Sequence, residues 1–272
     1  MADFLQDMAS LSRERANRLP KTQPSSSLDA PVFALSIDGF GIIAEIKDAS
    51  PAEGVLASGT SDRAQRALDY AQGGAAAISV LTEPSRFAGE VSHLHEVAAS
   101  VASDSIPVMR KDFLVDVRQV VEARANGASG VLLIAAMLSD RDIREMLDCA
   151  LEHSMFVLLE SFDAKDLGRS TNLLENSFHA ERAAAGQLLF GINTRNLRTL
   201  QVDSERLEQL SKELPTGVIA VAESGQSSSD DVARVASWGY SMALVGTALM
   251  RSDNSCELVA KMLAAGRKNK QS

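Results

Sequence analysis

Charged and amide side chains stand at the ends of apolar runs throughout this 272-residue sequence. In "IIAEIKDASPAEG" (42–54) a run that reads as a buried strand finishes in Glu45 and Lys47, which are two apart and so face the same side of a strand. Lys111 ends "IPVMRK", Glu160 ends "FVLLE", Asn193 and Arg195 end "LLFGINTR", and Glu223 ends "VIAVAE". Taken singly, each is explained by a polar residue leaving the core for solvent. Taken together they are not, because that reading gives no reason for carboxylates, ammonium groups and an amide to recur after strands so apolar upstream. Opposite charges held where water is limited suit proton transfer to and from a bound substrate.

Two turns suggest what the substrate carries. "AESGQ" and "LVGTAL" place Ser224-Gly225 and Gly246-Thr247 directly after the last two apolar runs. Glycine lets the backbone come close to a ligand, and these are the positions where an eight-stranded parallel barrel commonly holds a phosphate. The metal-ligating residue types form no such pattern. His93 and His95 are two apart on a predicted helix, the wrong spacing for a shared metal, and Cys149 and Cys256 stand alone. The cysteines read as small buried or half-buried hydrophobes in a reducing compartment.

The elements that must position these residues repeat along the chain. Short apolar runs recur at 41–47, 76–82, 107–111, 130–135, 156–160, 188–193, 218–223 and 241–246, and the gaps carry helical periodicity, as in "RDIREMLDCALEH" and "DSERLEQLSKEL". In "YAQGGAAAISVL", "EARANGASGVLLI" and "VASWGYSMALVG" a helix ends in Gly and a buried strand follows. Continuously apolar strands need helices on both faces, so the sheet is parallel. Eight β-α units predict a closed (β/α)8 TIM barrel over 41–272 as a single domain. A doubly wound open sheet is the alternative, but no Gly-rich fingerprint follows the first strand.

Residues 1–40 stand outside the repeat as an N-terminal helical extension and loop. "ADFLQDMASLSRERANRL" is an amphipathic helix, "PKTQPSSSLDAP" a Pro/Ser-rich loop and "VFALSI" a candidate short apolar element, together expected to form a lid on the barrel; a partner-binding helix is the alternative, which the modest apolar stripe disfavours. The long connection 164–187 is expected on the bottom face, away from the chemistry.

A net charge of −9 argues against a nucleic-acid surface, so an anionic ligand must be held by a few local cations. The apolar run Gly130–Leu138 is too short to span a bilayer, and the opening stretch, with Asp3 and Asp7, has no basic start or apolar signal core. The expectation is a cytoplasmic protein without a membrane partner, a monomer or weak homo-oligomer.

The stretches "IIAEIKDASPAEG", "PVMRKDFLVDVRQVVEARANGASGVLLIAAML", "VLLESFD", "GINTRNLRTLQVD", "VAESG" and "ALVGTALMR" resemble the indole-3-glycerol phosphate synthase family of tryptophan biosynthesis, above all in "RKDF", "INTRNL" and "AESG" in this order. The resemblance implies ring closure with decarboxylation and dehydration of 1-(2-carboxyphenylamino)-1-deoxyribulose 5-phosphate, without metal or organic cofactor. It implies Lys111 as the general acid, Glu160 as the carboxylate that takes a proton and Lys47 as a second acid. Glu45 would set the position and charge of Lys47, and Asn193 and Glu223 would bind the ribulose hydroxyls. Arg195 would pair with the anthranilate carboxylate, Phe113 would wall the aromatic ring, and Ser50 would join the substrate contacts. Ser224, Gly225, Gly246 and Thr247 would hold the phosphate.

The sequence departs from that family in its first loop, which usually reads "IKRASPSKG". Here Asp48 and Glu53 replace two cations near the entrance of an anionic substrate, and Phe162 stands in "ESFD" where the family often has His. The acids are read either as drift on a solvated loop or as the mark of a divergent paralogue that acts on, or merely binds, another phosphorylated anion. A sugar-phosphate isomerase barrel is a further reading, but it would not need "RKDF" with "INTRNL".

Overall fold

β-Branched and leucine-rich runs flanked by helix-capping residues close into one barrel in a computed structural model of the chain, which describes residues 4–21, 28–51, 53–56, 63–197, 202–203 and 205–270. The barrel strands are β1 (Gly41–Ile46), β2 (Ala77–Leu81), β3 (Val108–Lys111), β4 (Gly130–Ile134), β5 (Phe156–Ser161), β6 (Leu188–Asn193), β7 (Ile219–Glu223) and β8 (Met242–Val245). Each pairs in parallel with its sequence neighbours, and β8 closes on β1 with Gly41 opposite Met242 and Ala44 opposite Val245. Helices follow the strands and cover the outside; as expected, Gly74, Gly127 and Gly239 end three of them with φ of 88°, 85° and 97°. Among the described residues no helix is long and apolar enough to cross a membrane.

The strand period of two sorts the side chains into two cores. Ile42, Ala44, Val131, Leu133, Val157 and Leu159 face the helices. Ile43, Met109, Leu132, Phe156, Leu158 and Val221 fill the barrel interior. Burying a side chain of this size contributes about 1.5–3 kcal/mol. Hence a one-residue slip of any strand, which exchanges the two sets, is strongly disfavoured. That fixed phase aims the strand-end residues.

The helix Phe4–Asn17 buries Leu5, Met8, Ser12 and Ala16 along one face and lies over the barrel mouth. Arg15 grips Asp112 with two hydrogen bonds of 3.0 and 2.7 Å, and the Gln119 amide donates to Ser12 Oγ at 2.9 Å. Part of the Pro/Ser-rich loop lies outside the described residues. Beyond it, Arg124 donates to the carbonyls of Leu28 and Ala30 at 2.5 and 2.6 Å, and Phe33 N donates to Ser129 Oγ at 3.0 Å.

Three expectations are corrected. "VFALSI" forms neither helix nor strand, because every barrel strand is already paired on both sides and offers no free edge; Leu35 and Ile37 instead pack against the interior core. The helix expected across "DSERLEQLSKEL" is confined to Arg206–Ser211. The stretch 164–187 is no bottom-face loop. It forms two helices, Ala164–Thr171 and Ser177–Ala184, on the barrel's outer wall. Arg169 donates from the first of them to the carbonyls of Ala135 and Leu138, both at 2.7 Å, bracing the loop after β4.

Candidate active site

The strand-end residues occupy the interior phase of their strands. On β5 the inward residues run Phe156, Leu158, Glu160; on β7 Val221 precedes Glu223; on β1 Ile43 precedes Glu45; on β3 Met109 precedes Lys111. The charged groups are therefore the top layer of the barrel core, where the apolar filling stops. Above them opens a cavity of about 670 Å³ lined by all thirteen predicted residues, Ser50 and Arg195 included. Its apolar wall is built from Phe113, which touches Phe4 edge-on with ring centroids 5.9 Å apart and Phe87 at 6.0 Å.

Lys111 is the centre of the charge layer. Its ammonium lies 3.2 Å from Glu223 Oε2 and 3.5 Å from Glu160 Oε2, and both carboxylates are 1% exposed. Burial alone would make the ammonium shed its proton, but Glu223, Glu160 and Glu45 outweigh it and push the Lys111 pKa up. Glu223 moves well above the usual carboxylate range, first because it is buried and second because Glu160 repels its charge; Lys111 offsets this only in part. Neither oxygen of Glu160, nor Oε1 of Glu223, has a hydrogen-bond partner among the described residues.

Glu45 and Lys47 form a separate pair at 2.7 Å. Burial raises the Glu45 pKa, yet Lys47 and Lys111 overcome it and hold the carboxyl below its ordinary value, so Glu45 is the firmly ionised member of the layer. The sequence reading has Gly246 make room for a phosphate. Its missing side chain also makes room for Glu45, since a Cβ there would overlap Glu45 Oε1 and stand 3.0 Å from Lys47 Nζ. Gly191 does the same for Glu223.

Asn193 Oδ1 accepts from Arg195 N at 2.9 Å, which fixes the turn after β6 and leaves the amide nitrogen for a ligand. Arg206 braces the same turn by donating to the carbonyls of Asn193 and Thr194, both at 2.8 Å. Ser224 and Gly225 both have left-handed backbones, φ 63° and 87°. A serine held there is strained, as at many ligand turns. Ser50 Oγ accepts from Glu53 N at 3.2 Å and so shapes the first loop.

The two acids of that loop are paired. Asp48 bonds Arg63, and Glu53 meets Arg251 at 2.5 Å. Neither is an uncompensated negative charge at the entrance, which removes the observation favouring a divergent paralogue. Phe162 is fully buried in the interior core and does not line the cavity.

Several lining residues carry no signal in the sequence reading: Phe4, Phe87, Thr194, Gln226 and Arg251. Phe4 lies far from the rest of the site in the chain and reaches it because its helix docks on the barrel, with Leu5 and Met8 buried and Arg15 bound to Asp112. The buried Asp112 is held ionised: burial raises its pKa, but Arg110 and Arg15 bring it below the ordinary value. The sequence does contain this residue in "RKDF", beside Lys111.

A family model described as indole-3-glycerol phosphate synthase matches residues 6–262. The chain is 37% identical over 266 residues to indole-3-glycerol phosphate synthase 1 of Streptomyces coelicolor, covering 97% of this chain and 92% of the relative. It is 38% identical to indole-3-glycerol phosphate synthase of Paenarthrobacter aurescens, covering 96% and 90%. Among solved structures, 3-hexulose-6-phosphate synthase from Salmonella typhimurium superposes with a TM-score of 0.62 at 16% identity, over 85% of this chain and all of that one, a likeness of fold alone.

Proposed function

The chain belongs to the indole-3-glycerol phosphate synthase family, and from that premise we propose how the residues at its mouth divide the reaction. The enzyme is a carboxy-lyase that closes the five-membered ring of 1-(2-carboxyphenylamino)-1-deoxyribulose 5-phosphate and releases carbon dioxide and water. The aromatic carbon that carries the carboxylate attacks the ribulose carbonyl. Lys111 gives the carbonyl oxygen its proton and stabilises the negative charge that develops there. Carbon dioxide then leaves with its bonding pair returned to the ring. The new hydroxyl departs as water after a second protonation, for which Lys47 is the acid, and Glu160 takes the proton lost as the indole forms.

Glu45 holds Lys47 in place, while Asn193 and Glu223 meet the ribulose hydroxyls. Arg195 pairs with the anthranilate carboxylate, and Phe113, with Phe4 and Phe87 behind it, stacks the aromatic ring. The phosphate lies on the turns Ser224-Gly225 and Gly246-Thr247, with Ser50 closing over it. The observation that carries the reading is Lys111 between Glu160 and Glu223 at 3.5 and 3.2 Å, in a cavity with an aromatic wall. The test is to add the carboxyphenylamino-deoxyribulose phosphate to purified protein and follow indole fluorescence. A folded protein with no turnover would overturn the reading.

A further inference from the structure

We infer that Thr194 and Gln226 are side-chain hydrogen-bond partners of the substrate's phosphate, a role that deepens the functional reading above and rests on its placement of the phosphate at Ser224-Gly225. Both residues line the cavity, and both are buried, at 3% and 7% exposure. Neither Thr194 Oγ1 nor Gln226 Oε1 has a hydrogen-bond partner among the described residues. Buried polar atoms of a folded chain are nearly always satisfied, and leaving one unpaired costs stability. Two orphans on one wall of a cavity are therefore groups awaiting a ligand.

Their position selects which part of the ligand. Thr194 follows Asn193 at the end of β6, and Gln226 follows the Ser224-Gly225 turn. The two segments face each other across that turn: a Cβ on Gly225 would lie 3.6 Å from Thr194 Oγ1. The threonine's backbone is held from behind, with Arg206 and Asp203 N donating to its carbonyl at 2.8 and 2.9 Å. A hydroxyl donates to a phosphate oxygen directly. A carboxamide presents either its oxygen or its nitrogen after a half rotation about its last bond, so the Gln226 side chain can turn its donor to the same anion. The cation nearest in the chain, Arg195, serves the other end of the substrate, and the phosphate otherwise rests on the two glycine turns and Ser50. Two neutral side-chain donors supply affinity there without adding charge.

The experiment compares Thr194→Val and Gln226→Leu, which remove the polar atoms and keep the volume, with Thr194→Ser, which keeps the hydroxyl. Inorganic phosphate is the probe, read as competitive inhibition and as thermal protection, beside KM and kcat for the substrate. A lost hydrogen bond to a charged group corresponds to about a tenfold or larger effect. KM and the phosphate inhibition constant should thus rise about tenfold in each apolar variant, kcat should hold within about twofold, and Thr194→Ser should restore most of the affinity. Without ligand, the apolar variants should melt at or above the wild-type temperature, since an orphan polar atom has been removed. Unchanged phosphate affinity would overturn the inference, as would a drop of several degrees in the unliganded melt, which would mark a structural role. If the wild type shows no turnover but is protected by phosphate, and Thr194→Val loses that protection, the synthase reading fails and this one stands.

Discussion

Gly246 faces the Glu45 carboxylate so closely that a methyl group on residue 246 would overlap Oε1, and Gly191 stands in the same relation to Glu223. The barrel thus seats two of its three interior carboxylates in the space of a missing side chain on another strand: β6 beside β7, and the end of β8 beside β1. Parallel pairing brings a glycine within reach, and the interior phase aims the carboxylate at it. The space left by each glycine lets the carboxylate take its place at the floor of the cavity.

Gly246→Ala should consequently disarm the enzyme without unfolding it. The added methyl displaces Glu45 and with it Lys47, and kcat should fall by about two orders of magnitude, the usual scale of a misplaced acid–base pair. Gly191→Ala should do the same through Glu223. Circular dichroism and a thermal melt check the fold; near wild-type kcat in Gly246→Ala would show that Glu45 does not set Lys47.

Lys111→Ala and Glu160→Gln should each lower kcat about a hundredfold or more in steady-state assays. Their stabilities should diverge, because the rim they occupy is not solvated. Removing Lys111 leaves two carboxylates, each 1% exposed, facing each other with no cation between them. That variant should melt well below wild type at about pH 8 and recover toward about pH 5. Glu160→Gln relieves the repulsion and should melt no lower than wild type.

Glu223 makes the pH dependence specific. Its folded-state pKa is raised above the ordinary 4.5 by burial and by Glu160. A raised carboxyl contributes stability that is full below the unfolded value and is lost as pH rises through the folded one. Glu223→Gln removes that loss. The melting temperature of Glu223→Gln minus that of wild type should become more positive from about pH 5 to about pH 8. A difference that does not change with pH would mean that Glu223 is ionised throughout.

The barrel and its charge layer are legible in the sequence because both follow from a period of two: a strand that alternates inward and outward delivers Glu45, Lys111, Glu160, Asn193 and Glu223 to one rim. Phe4 is not legible in that way, since its place depends on a tertiary contact between Arg15 and Asp112, ninety-seven residues apart. The same holds for Arg63 and Arg251, whose pairing with Asp48 and Glu53 cannot be read from local spacing. "VFALSI" misleads for a topological reason: an apolar run becomes a strand only where an edge is free, and a closed barrel has none.

Arg15→Ala should test the reach of the N-terminal helix. Asp112 keeps Arg110 at 3.2 Å and Thr82 at 2.7 Å, so the barrel should stay folded while the helix loosens and Phe4 leaves Phe113. KM should rise several-fold, with more rapid amide exchange confined to residues 4–17; Arg15→Lys should recover part of the effect, but not the two-pronged grip. Unchanged exchange across 4–17 would detach the helix from this contact.

The acidic first loop yields the last prediction. Read from sequence, Asp48→Arg combined with Glu53→Lys replaces two anions by cations and should improve binding of an anionic substrate. The structure reverses this expectation, because an arginine at position 48 would stand against Arg63 and a lysine at position 53 against Arg251, turning two ion pairs into two repulsions at the entrance. The informative change is milder. Glu53→Gln frees Arg251, a cavity-lining cation, without adding a charge. An exposed pair of this kind is worth about 0.2–1 kcal/mol, so KM should fall by roughly two- to fivefold at low ionic strength, with kcat unchanged and the gain fading as salt rises. Arg251→Gln should move KM the other way, and the double variant Glu53→Gln with Arg251→Gln should match Arg251→Gln alone, since Glu53 acts only through the arginine it holds. Should Glu53→Gln raise KM instead, the pair would be a strut that shapes the loop around Ser50, and the charge of Arg251 would play no part in drawing the substrate in.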